Sequence, residues 1–181
     1  MLDKAVQKLI AAEKKRQKSV VNLIASENYV SQDVLEALGS ILTDKYGEGY
    51  PGRRYYRGTK IVDEVELLTQ KRALELFGLN PEKWSVNVQP LSGSPANFAV
   101  YAALVPQGEK IMGMELTHGG HLTHGQKVSM TGKFWNSILY TVSKENELID
   151  YEEVKRLAVA EKPKIIIAGF TAYAHIVDFK I

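Results

Sequence analysis

The 181-residue sequence contains no cysteine. That absence excludes disulfides and thiolate metal sites and is compatible with a reducing cytoplasm, the location expected here. No apolar run approaches the ~18 residues of a membrane-spanning helix. The start, MLDKAVQKLI, has an acidic third residue and no long apolar stretch, so it does not read as a secretory signal. Charge of one sign is lacking too. The 23 Lys and Arg against 21 Asp and Glu leave a formal +2, which gives no reason to expect nucleic acid or an anionic membrane as partner. There is no repeat and no low-complexity segment. What is present, 45% hydrophobic and 24% charged residues, suits a soluble domain with one sizeable core.

The pattern divides near residue 84. Before it, Asp3 is placed to cap a helix carrying Val6, Leu9 and Ile10 on one face and lysines opposite. That stripe packs either on its own domain or on a second subunit, and periodicity does not separate the two. Ser31 is placed to cap a second helix through Val34, Leu35 and Leu38, ended by Gly39. Asp44–Thr59 holds four glycines, one proline and four tyrosines and reads as a loop. Thr59 then opens a long helix through Ile61, Val65, Leu68 and Leu76, with Gly78 as its stop.

After Trp84, short strands alternate with helices. Strands are expected at Val86–Val88, Lys110–Met114 and Ile138–Val142, with a buried one in KPKIIIAG. Helices are expected at Pro95–Leu104 and after Asp150, where Glu153 suits a capping box. This alternation argues an α/β fold with a mostly parallel sheet. It stops at Ile181 with three or four strands accounted for, so the sheet is expected to be incomplete.

Three stretches could carry chemistry. In NVQPLSGSPANFAVY a strand is followed by a Ser92-Gly93-Ser94 turn, with Ser94 as the expected cap and Pro95 as the first helical residue. Backbone N–H groups at a helix start favour an anion, so this reads as a phosphate cradle or as an ordinary capped helix. It is neither a Walker loop nor a dinucleotide fingerprint. In THGGHLTHG, His118, His121 and His124 recur every three residues. Zinc is one reading, but Gly119 and Gly120 disfavour a helix and no carboxylate or thiol completes the set. A platform for a flat cofactor ring, or solvated loop histidines, are the others. Glu48, in YGEGYPG, is either a surface acid or an acid–base group whose pKa desolvation raises.

With these residues in view, the chain resembles serine hydroxymethyltransferase. NLIASEN, KYGEGYPGRRYY, NVQPLSGSPANFAVY, GGHLTHG and KPKIIIAGFTAY carry the likeness, in order, from about residue 3. The resemblance implies a fold-type I enzyme using pyridoxal 5′-phosphate, with tetrahydrofolate as co-substrate, interconverting serine and glycine. It implies a helical arm over 1–45 and part of the cofactor-binding large domain over 46–181. Ser92, Gly93 and Ser94 would hold the phosphate, and Thr171 would lie near the phenolic oxygen. His121 would stack on the ring and take part in catalysis. Glu48 would be the acid–base carboxylate. Tyr46 and Tyr56 would line the site across a dimer interface, Ser26 would touch the substrate carboxylate, and Leu116 and Gly120–Leu122 would contact folate.

Departures accompany the likeness. No lysine here follows the threonine run and His that mark the cofactor-carrying lysine of the family, and no Asp-x-x-His stretch pairs with a ring nitrogen. Arg57 and Lys60 stand beside the tyrosines where Gly and an acid are usual, and Ala174-His175 replaces a more usual polar or Pro pair. The expectation is an N-terminal segment, inactive alone, with a homo-oligomer or a complementing C-terminal half as partner. A non-catalytic binding protein of the same fold is the competing reading.

Overall fold

A computed structural model describes residues 3–181; the first two residues of the arm expected over 1–45 lie outside them. Helix α1 (Lys4–Lys18) is capped by Asp3, whose carboxylate accepts from the amides of Ala5 at 2.9 Å and Val6 at 3.2 Å. Lys15, Arg16 and Lys18 fill its last turn, the sign the helix dipole favours. It buries no residue. Helix α2 (Gln32–Leu38) is capped by Ser31 and ends at Gly39, and a 3₁₀ turn follows at Ile41–Asp44.

The Gly- and Tyr-rich stretch is more than a loop. It contains a hairpin, β1 (Gly49–Tyr50) against β2 (Arg53–Arg54), antiparallel with Gly49 opposite Arg54. Pro51-Gly52 makes the turn, with Gly52 at φ +73°, the Pro-Gly order of a type II turn. Helix α3 (Lys60–Leu76) follows Thr59, whose side chain makes no capping bond. It ends in a Schellman motif. Gly78, at φ +63°, donates to Glu75, and Leu79 donates to Leu74.

The strand expected at Val86–Val88 does not form. No ladder pairs it among the described residues. The Gln89 amide donates to the Asn87 side chain at 2.9 Å, a local bond that competes with strand pairing. Helix α4 (Gly93–Leu104) opens two residues earlier than expected. Ser92, not Ser94, holds the cap position, and Pro95 is the third helical residue. No first-turn N–H has an intrahelical acceptor, so proline fits anywhere in that turn.

Strand β3 (Lys110–Met114) is the centre of a parallel sheet. A short helix, α5 (Met130–Phe134), leads into β4 (Asn136–Tyr140). Strand β4 begins two residues before the expected Ile138, because its register is set against β3, Lys110 opposite Asn136. Val142 leaves the strand and bridges Ile149 instead. Helix α6 (Tyr151–Glu161) is capped by Asp150, but the Glu153 carboxylate turns to Arg156, so the expected capping box is not made. Strand β5 (Ile165–Ile166) pairs with β3, giving the order β4-β3-β5. The expected buried strand is thus a two-residue edge with Ile166 exposed.

Side chains of β3 alternate between two clusters. Ile111 packs with Tyr101, Val105 and Trp135 under α4, while Met112 and Met114 pack with Tyr140 and Ile149 under α6. The Trp135 indole donates to the Val105 carbonyl at 3.0 Å. No helix among the described residues is long and apolar enough to cross a membrane.

Candidate active site

The start of α4 is open. Ser92 is extended, φ −164°, and its hydroxyl makes no capping bond. The N–H groups of the first turn are therefore left to whatever anion the dipole attracts. Ser92 and Ser94 are exposed, and a Cβ on Gly93 would meet nothing within 4 Å. These features fit a phosphate group.

One turn along α4, the Asn97 amide donates to the hydroxyl of Thr123 at 2.9 Å. Thr123 is buried and stands 2.8 Å from His121 Nδ1, and its own amide donates to that nitrogen at 3.1 Å. Nδ1 therefore acts as an acceptor for the Thr123 amide. Asn97 and Thr123 thus fix the orientation of His121 relative to the open helix start, as a ring-stacking platform requires.

Of the other two histidines, His124 closes the same turn and His118 reaches another segment. His124 is buried, and its Nδ1 accepts from the His121 amide at 3.3 Å. A Cβ on Gly113 would come within 2.9 Å of His124, so the glycine in β3 makes room for it. Burial pushes the His124 imidazole below its usual value. His118 Nδ1 accepts from the Val142 amide at 3.4 Å. Among the described residues no three His, Cys, Asp or Glu converge as a metal site.

The backbone of Thr171 is tied to the histidine-bearing loop at Gly119. Its amide and that of Ala172 donate to the Gly119 carbonyl at 2.9 and 3.0 Å. Gly120 is tightly enclosed, since a Cβ there would lie 2.1 Å from the Met114 carbonyl oxygen. Leu116 and Leu122 flank this loop and are both exposed.

A second group forms in the hairpin region. Tyr46 donates to the Glu48 carboxylate at 2.9 Å and meets Tyr56 edge-on, with centroids 5.4 Å apart. The bond to Glu48 raises the Tyr46 phenol above its usual value. Glu48 itself is exposed in this chain; beside two glycines, it lacks the cover that the expected desolvation needs. Ser26 is exposed in the turn closed by the Ile24 carbonyl and joins neither group.

Sequence reasoning did not single out Asn97, Thr123 or Arg54. Asn97 had one signal, its place one turn beyond Gly93-Ser94. Arg54 had another, the acids Asp63 and Glu66 three residues apart on α3. Its guanidinium reaches both, at 2.7 and 2.6 Å.

The serine hydroxymethyltransferase family profile matches residues 1–181. A serine hydroxymethyltransferase of Mycoplasmopsis agalactiae is 56% identical over 180 residues, covering 99% of this chain and 42% of the relative. A cytosolic serine hydroxymethyltransferase of Encephalitozoon cuniculi is 54% identical, covering 99% and 40%. One from Caenorhabditis elegans is 53% identical, covering 99% and 36%. The chain thus spans 36–42% of the length of these relatives.

Proposed function

The chain belongs to the serine hydroxymethyltransferase family, and on that premise we propose that it contributes to the interconversion of serine and glycine with tetrahydrofolate as the one-carbon acceptor. The observation that carries the reading is the Asn97–Thr123–His121 relay, which joins an open helix start to an oriented imidazole. Pyridoxal 5′-phosphate, when bound, supplies an electron sink for the bond change at the amino acid. The first-turn amides of α4, with Ser92, Gly93 and Ser94, would hold its phosphate, and His121 and Thr171 would contact the rest of the group. Glu48 moves a proton at the hydroxymethyl oxygen of serine, with Tyr46 orienting its carboxylate. Leu116, Gly120 and Leu122 receive the folate, and Ser26 the substrate carboxylate.

The arm over 1–45 and the partial large domain over 46–181 are proposed to act in a homo-oligomer, or with a complementing half, in the cytoplasm. A second subunit would supply the cover that Glu48 lacks here. The competing reading, a non-catalytic binding protein, draws on the exposed apolar side chains of α1 and α3, such as Leu9 and Leu76.

The test is a chimera in which this chain replaces the matching residues of the M. agalactiae relative. The chain alone is expected to show no turnover, since no lysine in it matches the family's cofactor-carrying one. The chimera is expected to turn over, and Glu48→Gln in it to lower folate-dependent turnover by about 10²–10⁴ while serine binding persists. An inactive chimera that binds cofactor normally would favour the binding-protein reading.

A further inference from the structure

Arg54 is almost fully enclosed, with 4% of its side chain exposed. Its Nε donates to Asp63 at 2.7 Å and its Nη2 to Glu66 at 2.6 Å. Neutralising those two acids would by itself be an ordinary structural role. Nη1 does something else: it donates to the carbonyls of Gly47 at 2.7 Å and Gly49 at 2.5 Å. Glu48 lies between them, and its own carbonyl accepts from the Tyr55 amide at 3.2 Å. Three successive carbonyls are thus held around one candidate acid–base residue. The fit is close. Gly49 sits at φ +96°, and a Cβ there would lie 2.5 Å from the Arg53 carbonyl oxygen. The clamp also extends toward the cradle, because Gln89 donates to the Gly49 carbonyl at 3.0 Å and to Glu66 at 2.9 Å. Gln89 stands three residues before Ser92.

We propose that Arg54 is a positioning residue for Glu48, clamping the backbone on both sides of it, and that Gln89 ties this clamp to the segment leading into the α4 cradle. The inference rests on the reading of Glu48 as the acid–base group. A planar guanidinium can serve two acids and two carbonyls in fixed directions at once, which an ammonium cannot. Misplacing a reacting group by about 1 Å can lower a rate by about 10², so the clamp acts on turnover without touching substrate.

The experiment uses Arg54→Lys, Gln89→Met and Gln89→Lys, in the chimera for kinetics and in this chain for spectroscopy. Arg54→Lys keeps the charge and loses the fork; it is expected to lower kcat by about 10–10², with serine KM and cofactor affinity within about threefold of the parent. Gln89→Met removes the donor at similar length and is expected to lower kcat by about 3–10-fold, and Gln89→Lys, which restores a donor, to recover most of it. In this chain, Arg54→Lys is expected to return the Tyr46 phenol titration toward its usual position, because the displaced carboxylate no longer accepts from it. Amide exchange at Gly52 and Tyr55 is expected to accelerate, with that in α6 unchanged. Equal losses in kcat, serine binding and cofactor affinity would overturn the proposal, as would an unmoved Tyr46 titration. A silent Glu48→Gln would instead overturn the assignment of Glu48, while the Tyr46 titration would still report whether Arg54 places that carboxylate. Impaired Glu48→Gln beside normal Arg54→Lys and Gln89→Met would overturn the clamp alone.

Discussion

Two regions of this chain spend similar apolar content in opposite ways. From α1 to α3, Leu9, Ile10, Leu23, Ile41, Leu68 and Leu76 all remain exposed. From Tyr101 to Ile149, Val105, Ile111, Met112, Met114, Trp135 and Tyr140 are buried around β3. The first region is ordered by caps, by a Schellman turn and by one buried arginine. The second is ordered by a sheet that gives each apolar face something to cover. Helix formation needs only local chemistry, but burial needs a partner surface, and most helix stability in proteins comes from that packing.

The strongest way to break this contrast is to truncate equivalent apolar side chains on both sides of it. Trp135→Ala removes an indole that packs on Phe98 and Tyr101 and leaves the Val105 carbonyl without its donor. It is expected to destabilise the chain by about 3–5 kcal/mol in urea unfolding. Leu9→Ala, in a side chain 69% exposed, is expected to change the same measurement by less than about 0.5 kcal/mol. Comparable losses would mean that α1 belongs to the same cooperative unit as the sheet.

A smaller effect is expected at Gly120, where an added methyl would meet the Met114 carbonyl within the end of β3. Gly120→Ala is expected to lower stability by about 1–3 kcal/mol, since backbone has to move. Gly93→Ala, where a Cβ meets open space, should leave urea unfolding nearly unchanged and so separate enclosed from open glycines.

The regions also titrate in different windows. Burial holds the His124 imidazole below its usual 6.5, with the Met114 carbonyl opposing and His121 adding to the shift. The unfolded chain takes up that proton near 6.5 and the folded one resists it, so stability is full above 6.5 and declines as pH falls below it. The urea midpoint should drop between pH 7.5 and 5.5, and His124→Asn should flatten the drop. Asp63 behaves with the opposite chemistry. The Arg54 bond, then the Gly52 amide, hold its carboxyl below the usual 3.8. Its contribution is present above 3.8 and is lost as pH falls through the lower folded value. Amide exchange at Gly52 should therefore stay slow at pH 5.5 and accelerate only in stronger acid.

The legible parts of the fold were those with a local cause. Asp3, Ser31 and Asp150 stood where their helices began, Gly78 where α3 ended, and Lys110–Met114 as the buried strand. The misread parts were decided through space. Val86–Val88 alternates like a strand but finds no ladder, and β4 takes its register from β3 rather than from its own apolar run. The hairpin has two-residue strands, too short for a period to show. The candidate site divides in the same manner. Its residue types could be read from the stretches shared with a known family. Asn97 and Arg54 carried only weak local signals and Thr123 none, because their bonds are to partners up to 26 residues away.

The smallest expected effect is the cleanest comparison, because it uses one residue type in one role. Asp3 and Asp150 both cap helices, through bonds of 2.9 Å to Ala5 and 3.0 Å to Glu153. The two helices differ in what lies beneath them: α1 buries nothing, while α6 lays Val154, Leu157 and Ala158 against the sheet cluster. Replacing a capping aspartate by alanine lowers helix stability by about 1 kcal/mol wherever it occurs. In α6 that loss is transmitted, since unfolding the helix uncovers Met112 and Met114. Asp150→Ala is therefore expected to lower global unfolding stability by about 1 kcal/mol. In α1 the same loss stays local, because no packed surface depends on the helix. Asp3→Ala is expected to reduce helicity by circular dichroism and to speed amide exchange in the first turns of α1, with the urea midpoint of the sheet region unchanged. A shift of that midpoint by Asp3→Ala, equal to the one from Asp150→Ala, would show that the arm is coupled to the core in this chain.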